Sequence, residues 1–197
     1  MERIYVDKKI YNNFLELFIH KTYEYKIGNP LNQDTSLGPV VKLSAAKFIE
    51  EQISLAVKQG AKMMIDKSKF EYPKEHKNYM VPQVLTEVNH KMKFMMEETF
   101  GPCVGIMSVA NDKEGVNLMN DSPYGLTASI WTKDVEAVEK LGNQVNTGTL
   151  FMNRCDYLDP GLSCTGIKET GKGCSLSEIA YEHLTKPKSF HLRKELM

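Results

Sequence analysis

Apolar positions along the chain follow two rhythms. Ile4-Tyr5-Val6 opens a short strand; Ile10, Tyr11, Phe14, Leu15, Phe18 and Ile19 then form doublets spaced by four, the stripe of an amphipathic helix. Gly28-Asn29-Pro30 breaks that stripe, and residues 29–39, rich in Asn, Pro, Asp, Ser and Gly, read as a loop. A second helix is predicted from an N-cap at Ser44, with Ala46, Ile49, Ile53 and Val57 on one face and Gly60 ending it. Met63-Met64-Ile65 reads as a short strand, and the charged, turn-prone residues 66–78 as a solvated excursion.

The second half alternates strand and helix. Cys103 to Val109 reads as a buried strand, followed by a helix from an Asp112 cap to Met119. Leu126 to Trp131 is a strand, and Asp134 caps a helix bearing Val135, Val138, Leu141 and Val145; Thr147 to Met152 is another strand. This alternation predicts an α/β fold with a mostly parallel sheet flanked by helices. Asn153 to Gly173 has no periodicity, and an irregular stretch of that length is commonly functional. A last helix from Leu176 to Leu184 precedes an alternating strand at Lys188-Ser189-Phe190-His191-Leu192.

Composition narrows the classes. The 197 residues are 42% hydrophobic and carry 25 Lys+Arg against 25 Asp+Glu, so the chain can bury a core and has no net charge to draw nucleic acid or an anionic membrane. The segment from Met1 to Asp7 has no apolar run behind its charges, so no secretory signal is expected. The longest uncharged apolar stretch, Cys103 to Ala110, is far below the ~20 residues of a membrane helix. Cys103, Cys155, Cys164 and Cys174 have neither Cys-x-x-Cys pairing nor a His at zinc spacing, so reduced thiols, no metal and a cytoplasmic location are expected.

Three constellations invite chemistry. Gly166-Ile167-Lys168-Glu169-Thr170-Gly171-Lys172-Gly173 matches a phosphate-cradling loop except at its last position, where Gly173 lacks the hydroxyl that would hold magnesium; the plain reading is a Gly-rich turn. Cys155, Cys164 and Cys174 lie in or beside the irregular stretch near Arg154, Lys168 and Lys172, but no base is placed by the sequence. Glu97-Glu98 runs into Thr99-Phe100-Gly101-Pro102, which sets an acceptor and an aromatic face two residues apart beside a Gly-Pro pin. The five histidines are scattered.

Those last six residues resemble a segment of the aldehyde dehydrogenase superfamily. Colinear with it are Gly28-Asn29-Pro30-Leu31, Leu37-Gly38-Pro39-Val40, Gln59-Gly60-Ala61-Lys62, Asn120-Asp121-Ser122-Pro123-Tyr124-Gly125-Leu126-Thr127-Ala128, Thr147-Gly148-Thr149, Gly166 through Gly173 and Lys188-Ser189. The resemblance implies oxidation of a small aldehyde through a cysteine thioester, with hydride transfer to NAD or NADP, in a homo-oligomer. Glu2-Arg3-Ile4-Tyr5-Val6 looks like the segment just after the family's nucleophilic cysteine, so that cysteine is expected a few residues before Met1 and none of the four cysteines fills its place. Residues 1–185 then correspond to part of the catalytic domain and 186–197 to an oligomerisation strand and tail.

By the same resemblance, Glu98 corresponds to the acid that binds the nicotinamide ribose and Phe100 to the aromatic beside the nicotinamide. Asn153, Cys155 and Cys164 are placed along the substrate tunnel. Three departures stand out: Ser163-Cys164-Thr165-Gly166 where many relatives have Pro-Phe-Gly-Gly, Ser175 in place of a glutamate, and Ala45 in place of a cofactor-contacting glutamine. The alternatives are a non-catalytic interaction module built on the same scaffold, and a thiol enzyme using Cys155, Cys164 or Cys174.

Overall fold

The computed structural model describes residues 2–155 and 157–195. Its elements in chain order are β1 (Arg3–Asp7), α1 (Tyr11–Tyr23), α2 (Leu43–Lys58), β2 (Lys62–Met63), β3 (Gln83–Thr86), α3 (Lys93–Met96), β4 (Cys103–Val109), α4 (Asp112–Asn120), β5 (Thr127–Ile130), α5 (Val135–Gly142), β6 (Thr149–Met152), β7 (Cys164–Thr165), β8 (Cys174–Ser175) and α6 (Ile179–Leu184). They fall into two compact units, Met1–Asp121 and Ser122–Met197, which subdivide the stretch read above as residues 1–185.

The first unit is built on a sheet of order β1-β4-β3-β2. β1, β4 and β3 run parallel and β2 is antiparallel at one edge. Because strand side chains alternate between faces, the sheet carries two cores. Leu85 and Cys103 face a cluster with Ala46, Ile49, Ile53 and Ala56 of α2 and Phe94 and Met95 of α3. Val6, Val84, Val104 and Ile106 face the other, covered by Tyr11, Phe14, Leu15 and Phe18 of α1. Ile49, Leu85 and Ile106 are completely buried, each worth roughly 1.5–3 kcal/mol of transfer free energy. Gly105 lets α3 close on the sheet, since a Cβ there would strike the Met95 sulfur.

Several local expectations shift. α2 begins at Leu43, its cap position is Lys42 with no side-chain cap, and Ser44 lies inside the first turn. α4 is capped by Asn111 rather than Asp112: the Asn111 Oδ1 accepts from the Glu114 N–H at 3.1 Å, and Glu114 Oε2 accepts from the Ala110 N–H at 2.6 Å. This reciprocal pairing resembles a capping box, so the acid selected is the residue after the true cap. The 66–78 excursion is not wholly solvated. Phe70 is buried and stacks on Tyr23 at 5.6 Å between ring centroids.

In the second unit β5 and β6 form a parallel pair, and Asp134 caps α5 as expected by accepting from the Ala137 N–H at 3.0 Å. The irregular stretch contains half of an antiparallel ladder, β7 against β8. Residues 186–195 belong to no strand of the single chain, and Phe190 and Leu192 are exposed. Among the described residues, no helix is long and apolar enough to cross a membrane.

Candidate functional site

In the first unit the candidate residues Glu98 and Phe100 lie on the turn between α3 and β4. α3 ends at Met96 and is capped by Glu97, whose N–H donates to the Lys93 carbonyl at 2.8 Å. Glu98 then stands in solvent, Thr99 is buried, and Phe100 is 81% exposed with its backbone in the left-handed region at φ 48°. An aromatic residue at positive φ costs on the order of 1–3 kcal/mol and needs support from its surroundings. That support is the Glu2 carboxylate. Its Oε1 accepts from the Thr99 N–H at 2.9 Å and the Phe100 N–H at 3.1 Å.

Downstream the turn is closed by packing and by the sheet. A Cβ on Gly101 would collide with the Ile49 Cδ1, so α2 approaches this close only over glycine. The Pro102 carbonyl accepts from the Gln83 N–H at 2.8 Å and joins the turn to β3. Glu98 and Phe100 are thus exposed two residues apart on a backbone fixed at both ends, one offering carboxylate oxygens and the other an aromatic ring. Cys103, directly after, is buried in the core, and burial together with the nearby Glu2 carboxylate pushes its thiol up to about 12. It is an inert packing residue.

Asn153, Cys155 and Cys164 all lie in the second unit. Asn153 sits just past β6 at φ 55°, with its side chain engaged by Thr132: Oδ1 accepts from the Thr132 N–H at 2.9 Å and Nδ2 donates to the Thr132 carbonyl at 2.8 Å. Cys155 is exposed beside Arg154, whose guanidinium lies 3.9 Å over the Tyr157 ring. Cys164 is half-buried in β7 opposite Ser175, one register step from the pair Thr165–Cys174. Neighbouring positions on a strand face opposite ways, so Cys164 and Cys174 point away from each other.

A groove of about 870 Å³ runs between residues 160–163 and α6, with Leu162, Ile179, Tyr181 and Leu184 among its walls. Asn153 and Cys155 do not line it, while Cys164 follows its wall residue Ser163. The Gly166–Gly173 segment connects β7 to β8 and is a plain turn: Lys168 Nζ donates to the Ser122 carbonyl at 3.0 Å, and the Thr170 hydroxyl accepts from the Gly125 N–H at 2.8 Å. Two of the motifs singled out in the sequence are therefore each other's packing partners. Among the described residues, no three His, Cys, Asp or Glu side chains gather to hold a metal.

The aldehyde dehydrogenase family pattern matches residues 1–190. The chain belongs to that family. It is 33% identical over 190 residues to a 3-sulfolactaldehyde dehydrogenase of Priestia aryabhattai, an alignment covering 94% of this chain and 38% of that protein. With a human 4-trimethylaminobutyraldehyde dehydrogenase it shares 30% identity over 190 residues, covering 95% of this chain and 38% of the relative. A crystal structure of betaine aldehyde dehydrogenase from Staphylococcus aureus in complex with NAD+ superposes with a TM-score of 0.85 at 27% identity, over 92% of this chain and 36% of that one. The aldehyde dehydrogenase fold expected from the motifs is thereby found, in a chain spanning about 38% of the length of these curated relatives.

Glu2 belongs to the segment matched to the family, but nothing local marks it as the acceptor for this turn. Its partners lie 97 and 98 positions away, and only the sheet brings them together.

Proposed function

We propose that this chain supplies part of the catalytic domain of an NAD(P)-dependent aldehyde dehydrogenase, and that it is inactive by itself. The observation that carries the reading is the Glu98–Phe100 turn within a fold superposing on an NAD+-bound relative. Its residues fit a nicotinamide nucleotide. Glu98 presents carboxylate oxygens, which suit the vicinal hydroxyls of a ribose, and Phe100 presents an uncovered aromatic face to a planar ring. When bound, the dinucleotide supplies the acceptor for the hydride of the aldehyde's oxidation. What this chain contributes is binding and orientation: Glu98 holds the sugar, Phe100 limits the tilt of the ring, and the rigid turn keeps both in register with β4.

The nucleophilic thiolate belongs to a segment before β1, because Cys103 is buried and protonated and the resemblance of Glu2–Val6 to the segment after the family's cysteine implies a nucleophile ahead of it. The loop after Asn153, with Cys155 and Cys164, forms part of the wall around a small aldehyde. Residues 1–185 serve the catalytic domain, and the tail 186–197, whose last two residues lie outside the described ones, pairs through residues 186–195 with another copy in a cytoplasmic homo-oligomer. The test is mass spectrometry after incubating the chain with an aldehyde and NAD(P)+. No acyl adduct is expected on any of the four cysteines, and a stoichiometric adduct on Cys155, Cys164 or Cys174 replaces this reading with a thiol enzyme of a different design.

A further inference from the structure

We propose that Glu2 is the positioning residue of the Glu98–Phe100 turn: its carboxylate holds two consecutive backbone N–H groups and so sets the direction in which both side chains project. The anchor rests on geometry, and its consequence for nucleotide binding rests on the cofactor reading above.

One oxygen, Oε1, receives both N–H groups, from Thr99 at 2.9 Å and from Phe100 at 3.1 Å. Two successive N–H groups converging on one carboxylate oxygen is the arrangement found in anion-binding backbone nests, and here it accompanies a Phe100 held at φ 48°. Without the carboxylate, the N–H of the buried Thr99 loses an acceptor and Phe100 is free to relax to negative φ, which swings its ring. Glu2 is itself well placed for this task. Its carbonyl accepts from the Gly105 N–H at 3.3 Å, at the point where the register pairs Arg3 with Gly105. The Arg3 guanidinium donates to the Met95 carbonyl at 3.3 Å, so of two consecutive residues at one strand end Glu2 holds the turn and Arg3 the helix that leads into it. The register of β1 on β4 is thereby transmitted to two exposed side chains nearly a hundred residues away in sequence.

The experiment is residue-resolved hydrogen exchange and NMR on the full 197-residue chain carrying Glu2→Ala and, separately, Glu2→Gln. Glutamine keeps an acceptor oxygen at the same reach without the charge. Glu2→Ala is expected to speed exchange at Thr99 and Phe100 by about tenfold or more, with Leu85 and Ile106 unchanged. The Cα and Cβ shifts of Phe100 should leave the left-handed range. Glu2→Gln should restore most of the protection, which a purely global loss of stability would not do. Unchanged exchange at Thr99 and Phe100 in Glu2→Ala, or faster exchange spread evenly over the sheet, overturns the proposal. If Glu2→Ala does not fold, Glu2→Asp, whose carboxylate is one methylene shorter, decides: faster exchange at Thr99 and Phe100 with Leu85 and Ile106 unchanged supports the anchor, and unchanged exchange at Thr99 and Phe100 overturns it.

The cofactor reading fails separately. If Glu98→Gln leaves the KM for NAD(P)+ unchanged in enzyme complemented with an amino-terminal part, while Thr99 and Phe100 still respond to Glu2→Ala, the ribose role is wrong and the anchor stands. If both readings hold, Glu2→Ala in that complemented enzyme raises the KM for NAD(P)+ by about fivefold with little change in kcat, and Glu2→Gln reverses it.

Discussion

The Tyr5 hydroxyl lies 2.8 Å from His90 Nε2, and His90 Nδ1 lies 2.8 Å from Asp121 Oδ2. This chain of three joins β1, the segment between β3 and α3, and the residue that closes α4. Burial is the main reason the Tyr5 phenol is pushed up to about 12 from its ordinary 10.0. Burial likewise pushes Cys103 from 9.0 to about 12. Both folded values lie above the unfolded ones. The stability these groups contribute is therefore complete below about pH 9 and is lost as the pH climbs toward 12. Tyr5→Phe removes one of the two groups. Urea titrations from about pH 8 to 11 should find it roughly 1 kcal/mol less stable than wild type at the neutral end, with a shallower decline on the alkaline side.

The amide of Asn153 completes a two-bond pairing with the backbone of Thr132, and its φ of 55° suits asparagine better than most residues. Asn153→Ala loses both bonds and keeps the unfavourable backbone, so it should destabilise the Ser122–Met197 unit by about 1–3 kcal/mol. Asn153→Gly loses the bonds but relieves the backbone, and should fall between the two. Thermal unfolding of the three proteins gives the order.

Gly148 sits against the Thr165 carbonyl so closely that an added Cβ would overlap the oxygen. A backbone atom cannot rotate away as a side chain can. Gly148→Ala should cost about 1–3 kcal/mol and disturb the β7–β8 ladder. Gly171→Ala, which meets open space but has φ 127°, should strain only its own turn. Amide exchange at Thr165 and Cys174 separates the two variants.

Much of the fold is legible in the sequence because strand and helix stripes differ in period: β1, α1, β4, β5 and β6 fall where the apolar positions place them, and α5 does so except that it ends at Gly142, before Val145. β3 is not legible. It is fully buried yet begins with Gln83 and ends with Thr86, and polar ends mask a strand only four residues long. The structure accommodates Gln83 by letting its side chain imitate a strand partner: Oε1 accepts from the Ile65 N–H at 3.1 Å and Nε2 donates to the Ile65 carbonyl at 3.0 Å. Phe70 is hidden for a similar reason, as one apolar residue among lysines has no period to reveal that it stacks on Tyr23. Glu98 and Phe100 can be picked out because they lie within a short contiguous motif. Their support by Glu2, and the pairing of Asn153 with Thr132, are set by tertiary contacts that leave no mark on the local pattern.

The proposal that this chain carries a nucleotide-holding turn but not the nucleophile is tested most directly by aldehyde-dependent NAD(P)H formation, measured with the chain alone and with the chain plus an amino-terminal part of an aldehyde dehydrogenase. The account predicts no turnover by the chain alone and turnover in the mixture that is lost with Glu98→Ala. Sustained turnover by the 197 residues alone would contradict it.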